Sequence, residues 1–122
     1  MLKLIYRLQL IGFYSWNLLR ASRLVVDTGL HAFGWSKQKA TRYLIKNTFL
    51  SKEICEKEVD RYIAWPGQAL AYKMGEREIQ KVKIRMKQAM KETFDVKQFH
   101  DAVLRCTGPI KMLYACVKMQ LV

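Results

Sequence analysis

Proline and glycine are scarce, two and six residues respectively in a chain of 122. No Pro/Gly-rich linker can therefore be drawn, and the polar residues are spread along the chain rather than gathered into a low-complexity segment. Cysteine is also scarce. Cys55, Cys106 and Cys116 are widely spaced and form no C-x-x-C, which excludes a zinc ribbon or a dithiol redox motif and reads as three reduced thiols acting as small hydrophobes. There are only two histidines, His31 and His100, with no H-E-x-x-H, H-x-H or Cys–His cluster. No metal-ligand set is legible, so no metal site is expected in this chain. Neither the nucleophile-elbow pattern G-x-S-x-G nor the phosphate loop G-x-x-x-x-G-K-[ST] occurs.

Long apolar runs are lacking too. The longest uncharged stretch near the start, residues 8–19, contains Gln9, Ser15 and Asn17 and is shorter than the roughly 20 residues a spanning helix needs. Lys3 and Arg7 precede it, but no small-residue cleavage site follows, so residues 1–30 read as structure and not as a signal peptide. Negative charge is sparse: 10 Asp+Glu stand against 22 Lys+Arg, a formal net charge of +12. Such a balance raises nucleic acid or an anionic membrane as partners. It also fits a piece of protein whose acidic neighbours lie elsewhere. No compartment can be assigned.

What is present is a 51% hydrophobic content arranged at helical spacing. Residues 1–122 are long enough for one helical unit with a real core. Leu4, Leu8, Ile11, Ser15, Leu18, Leu19, Ser22, Val25 and Val26 follow a 3.6-residue period. This predicts one long helix, or two meeting near Gly12, ending near Gly34. Ser36 is suited to cap a second helix over 37–46, and Ser51 a third. Pro66 disfavours helical geometry at Trp65, so Trp65-Pro66-Gly67 predicts a break. A long helix follows over 68–90. Asp95 and Gln98 form a capping box flanked by the apolar staple Phe94/Phe99. Thr107-Gly108-Pro109 ends that helix and starts the last, with Pro109 at its first position. No strand pattern appears, and the expectation is an all-α fold of about six helices.

Three constellations have chemical content. Asp27 and His31 are four residues apart and share a helix face, where the carboxylate could orient the imidazole; an ordinary ion pair near a helix end is the plainer reading. Arg61-Tyr62, Trp65-Pro66-Gly67, Gln68 and Tyr72 gather aromatic and polar groups around a helix break, either as a pocket wall or as a helix–helix corner. Lys73, Arg77, Lys81, Arg85 and Lys87 form a basic stripe. It lacks aromatic interleaving beyond Tyr72, so a solvated helix face is preferred over phosphate binding and nucleic acid is not expected.

The strings RASRLVVDTGLHAFGWS (residues 20–36), EVDRYIAWPGQALAYKMG (58–75) and FDVKQFHDAVL (94–104), in this order and spacing, resemble the domain-of-unknown-function 885 family, whose members look like gluzincin-type zinc metallopeptidases. The likeness runs from about residue 6 to the end and matches the C-terminal helical part of a longer family domain. It implies that the zinc motif, the downstream glutamate ligand and most of the cleft lie before this region. Zinc is then expected only in the full-length family domain, and this chain alone would not hydrolyse peptides. The resemblance further implies that Tyr62 donates its hydroxyl to a tetrahedral oxyanion, positioned by Arg61, as in the Arg-Tyr dipeptide of related helical peptidases. It makes His31 a substrate contact held by Asp27, and Gln68, Tyr72 and His100 further pocket residues, although His100 could simply bond within its helix. The implied partners are a peptide substrate and the missing N-terminal catalytic portion. Residues 76–91 are more basic than the family pattern, the stretch Arg105-Cys-Thr-Gly-Pro-Ile matches it loosely, and residues 114–122 are generic. A truncated gene product, a partial gene model and a split subunit all fit a chain that begins with Met. The alternatives that stay open are a basic helical module for nucleic acid or anionic lipid, and a structural subunit that docks through the apolar face of its first helix.

Overall fold

The apolar stripe beginning at Leu4 builds one unbroken helix. The computed structural model describes residues 2–122, with side chains from Leu4 onward; Met1 and the side chains of Leu2 and Lys3 lie outside the described residues. Helix α1 spans Leu2–Phe33 and passes through Gly12 without a break. It is followed by α2 (Lys37–Asn47), α3 (Lys52–Ala64), α4 (Ala71–Met90), α5 (Val96–Arg105) and α6 (Leu113–Leu121). Short 3-10 turns at Gln68–Leu70, Lys91–Thr93 and Ile110–Met112 precede or follow these helices. The fold is all-α with six α-helices and, among the described residues, no strand.

The helix boundaries follow local chemistry. Ser36 Oγ accepts from Lys39 N–H at 3.2 Å and Ser51 Oγ from Ile54 N–H at 3.4 Å, which satisfies donors that a helix start leaves without partners. Asp95 accepts from the N–H groups of Lys97 and Gln98 at 2.6 and 3.1 Å, and the Phe94 and Phe99 rings lie 5.9 Å apart, as a staple requires. Two expectations shift by a few residues. Gln68–Leu70 is a 3-10 turn before α4 proper, and Pro109 precedes the turn Ile110–Met112 instead of occupying the first position of α6.

Packing divides into two compact units, Met1–Lys73 and Met74–Val122. In the first, α1 packs on α2 and α3, and Val26, Leu44, Val59 and Tyr62 are fully buried together with Ala40, Cys55 and Ala69. Burying each large apolar side chain of this kind contributes roughly 1.5–3 kcal/mol. The α1 stripe is used unevenly. Leu19, Ser22, Arg23, Val26 and Asp27 are buried at i, i+3, i+4, i+7 and i+8, whereas nine large apolar side chains from Leu4 to Leu18 stay exposed. No described helix is long and apolar enough to cross a membrane.

In the second unit α5 and α6 pack against each other, with Val82, Met86, Phe99, Ala102, Leu113 and Val117 buried. Here the sequence reading needs a correction: Cys106 and Cys116 form a disulfide, not two reduced thiols. The α5–α6 packing brings their Cα atoms to 6.0 Å, within the range a disulfide spans. Cys55 remains a free, buried thiol, and its burial pushes its pKa up, as expected of an inert core cysteine. Closing a ten-residue separation restricts the unfolded chain, so Cys106→Ser with Cys116→Ser should cost the second unit about 2 kcal/mol. Urea unfolding followed at residues of α5 and α6 checks this, and an unchanged midpoint would remove the disulfide as a stabilising element.

Candidate functional site

Pro66 leaves the end of α3 short of one hydrogen bond, and the site is built around that deficit. The carbonyl of Tyr62 would ordinarily receive the N–H four residues on, but Pro66 has none. His31 of α1 fills the vacancy, with Nε2 lying 2.9 Å from the Tyr62 carbonyl oxygen. Only an Nε2–H imidazole can donate there, which leaves Nδ1 as an acceptor. The next residue, Gly67, takes a left-handed conformation (φ +82°) that side chains resist. Its N–H points at the buried Asp27 carboxylate, 3.1 and 3.3 Å from the two oxygens. Asp27 and His31 do share one face of α1, one turn apart. The expectation that Asp27 holds His31 is corrected: each of them instead holds one backbone group of the Trp65-Pro66-Gly67 corner. His31→Ala should cost about 1 kcal/mol, the net worth of one partly exposed hydrogen bond, measurable by chemical unfolding. The Nε2–H tautomer should be visible in the imidazole nitrogen shifts.

On the other side of α3 lies a carboxylate that sequence reasoning missed. Glu58 Oε2 accepts from the Tyr62 hydroxyl at 2.6 Å and from Arg61 Nη2 at 2.6 Å, while Oε1 accepts from Arg61 Nε at 3.3 Å. Arg61 Nη1 reaches on to Gln68 Oε1 at 2.7 Å. This network ties the last turns of α3 to the segment after the break. Its sequence signal was available: Glu58, Arg61 and Tyr62 fall at i, i+3 and i+4 on one helix face. Burial would push the Glu58 carboxyl up, but hydrogen bonds from Arg61 and Tyr62 outweigh it and the net shift is downward. The Tyr62 hydroxyl is pushed up, by burial first and then by its bond to the Glu58 anion. Arg61 is held more firmly protonated by Glu58.

Arg23 of α1 is also part of this cluster. It is 8% exposed. Its guanidinium carbon lies 5.6 Å from the Tyr62 ring centroid and 5.7 Å from that of Tyr72, and Arg20 approaches the Tyr72 ring at 5.6 Å. Asp27, His31, Arg61, Tyr62, Gln68 and Tyr72 therefore all belong to the first unit and gather about the α1–α3 contact. His100 lies in the second unit, exposed on α5, its ring 5.7 Å from that of its neighbour Phe99. On the basic stripe, Lys81 pairs with Glu78 at 3.4 Å and Arg85 stacks on Tyr114 at 3.7 Å, while Arg77 and Lys87 face solvent.

Among the described residues no three His, Cys, Asp or Glu side chains come together as a metal-holding group. Both Asp27 oxygens are turned to a backbone N–H, and Glu58 is occupied by Arg61 and Tyr62.

Comparison with known proteins places the chain. The model of a family described as "Bacterial protein of unknown function (DUF885)" matches residues 5–113. A crystal structure from Colwellia psychrerythraea, which carries the name "putative lipoprotein", superposes with a TM-score of 0.83 at 38% sequence identity over 88% of this chain. The chain spans 18% of the length of that protein. No curated protein matches.

Proposed function

Because the chain belongs to the DUF885 family, we propose that it is one helical wall of a larger peptidase-type domain, docking through the exposed half of α1 and contributing peptide-binding groups but no hydrolysis of its own. The observation that carries this reading is the divided stripe of α1. Nine large apolar side chains from Leu4 to Leu18 are exposed on the same helix whose later turns bury Leu19, Ser22, Arg23, Val26 and Asp27. An apolar surface of that extent fits a further layer of protein, and the chain spans only 18% of the length of a solved relative. In this reading Arg61 positions Tyr62, whose hydroxyl is aimed by Glu58 and donates to the oxyanion once turned toward substrate. His31, Gln68 and Tyr72 line the same wall, and Asp27 steadies its corner. The zinc and general base belong to the portion carrying the H-E-x-x-P-G-H-like motif.

The test uses the 122-residue chain with zinc and a mixed peptide library, alone and with a separately produced DUF885 portion that carries that motif. The chain alone is expected to give no cleavage, and the pair a stable complex that cleaves. Leu8→Asp with Ile11→Asp should abolish the complex while leaving the first unit folded. Zinc-dependent cleavage by the chain alone, or a chain that ignores the added portion and remains a monodisperse monomer, overturns the reading.

A further inference from the structure

Arg23 is a buried cation that forms no ion pair among the described residues, although the Glu58 charge is near enough to bear on it. It is 8% exposed, and its Nε has no hydrogen-bond partner among the described residues, a rare state for a guanidinium, whose buried donors are normally satisfied. The nearby carboxylate is not available to it: Glu58 is taken by Arg61 through both oxygens and by the Tyr62 hydroxyl. Arg20, one turn earlier, forms no ion pair among the described residues and shares the Tyr72 ring with Arg23. Two like charges thus flank one aromatic ring with no counter-charge of their own. Ring faces attract cations only weakly compared with a paired anion.

Next to this cation is an open space. A depression of about 230 Å³ is lined by Arg23, Arg61 and Glu58 at its polar end and by Trp16, Leu19, Leu50 and Ile54 elsewhere. A second depression of about 250 Å³ shares Trp16, Leu19 and Leu50 and adds Phe49, so the apolar floor continues away from the charges. We propose that Arg23 and Arg61 form a carboxylate site, and that its ligand is a monocarboxylate on an apolar body, either the free C-terminus of a peptide with an apolar last residue or a short acyl chain. A planar guanidinium matches a carboxylate through paired hydrogen bonds. Glu58 in the same wall repels a doubly charged phosphate more than a single carboxylate. The site stands on Arg23 and the two depressions and does not require that the chain take part in hydrolysis.

Trp16 sits in both depressions, so its fluorescence reports occupancy. The 122-residue chain is titrated with N-acetyl-leucine, N-acetyl-leucinamide and hexanoate, with calorimetry alongside. Saturable binding of N-acetyl-leucine with little binding of its uncharged amide is expected. Arg23→Met should weaken the acid by at least about tenfold, Arg23→Lys should restore part of it, and Lys46→Met on the exposed face of α2 should change nothing. Arg23→Met should also raise the melting temperature, because an unpaired buried charge is removed. Preference for N-acetyl-leucine over hexanoate assigns the peptide source, and the reverse assigns the acyl source. Equal binding of acid and amide, or no saturable binding of either acid, overturns the proposal and needs no variant to fold. An Arg23→Met protein that binds like the wild type overturns it as well. None of these outcomes depends on cleavage, so failure here is distinguishable from failure of the peptidase-wall reading.

Discussion

Glu58→Ala is expected to destabilise the first unit by about 3–5 kcal/mol, toward the lower end because Arg61 is partly exposed and screened. Two groups lose their acceptor at once, and a nearby cation loses a counter-charge. The Tyr62 hydroxyl, on a fully buried side chain, loses its acceptor at 2.6 Å. Arg61 loses two of its hydrogen bonds and keeps only Gln68. Arg23 loses the carboxylate whose charge bears on the same cluster. All three tryptophans, Trp16, Trp35 and Trp65, lie within Met1–Lys73, so tryptophan fluorescence in a urea titration isolates this unit. A variant as stable as the wild type would show that the network is incidental.

The same network makes a pH prediction with a definite sign. The folded-state pKa of Glu58 is lowered. Its contribution is therefore fully present above the unfolded value of about 4.3 and is lost as pH falls through the depressed folded value. Tyr62 behaves in the opposite sense. Its folded pKa is raised, so its contribution is full below the unfolded value of about 10 and is lost as pH climbs beyond it through the raised folded value. Glu58→Gln should flatten the acid limb of the stability profile and Tyr62→Phe the alkaline limb, and each should also shrink the other limb, because each group's shift rests in part on the other.

Gly29→Val is expected to cost the first unit about 3 kcal/mol, through overpacking. The Trp35 indole lies directly on the Gly29 backbone, and a Cβ built at Gly29 would meet its ring atoms at 2.5, 2.6 and 2.9 Å. The ring cannot easily retreat. Trp35 N–H bonds the Gly29 carbonyl at 2.9 Å, the Tyr43 ring lies 5.7 Å away, and Lys39 Nζ sits 4.4 Å above the indole. Alanine should be milder than valine, because replacing a helical glycine returns about 1 kcal/mol of backbone entropy. Trp35→Phe, which removes part of the clashing ring, should recover some of the valine loss. An additive double variant would show that the contact does not carry the effect.

Periodicity and capping determined most of the fold from sequence. The stripe from Leu4 to Val26, the serines at 36 and 51, Asp95 and the Pro66 break act within a few residues of themselves, so their consequences are local and legible. The sequence also placed Asp27 and His31 on one face, because a helix fixes that by spacing alone. What those side chains hold was decided by tertiary structure. His31 bonds the Tyr62 carbonyl 31 residues away and Asp27 the Gly67 N–H 40 residues away, and both targets are backbone groups that no residue type announces. The Cys106–Cys116 disulfide depends on α5 folding back against α6, which spacing does not encode. Arg23 escaped notice for the same reason: a charged residue on a helix stripe is ordinarily solvated, and only the packing of α1 against α3 turns this arginine into a buried cation. Glu58 differs, since its bonds to Arg61 and Tyr62 follow from spacing within one helix.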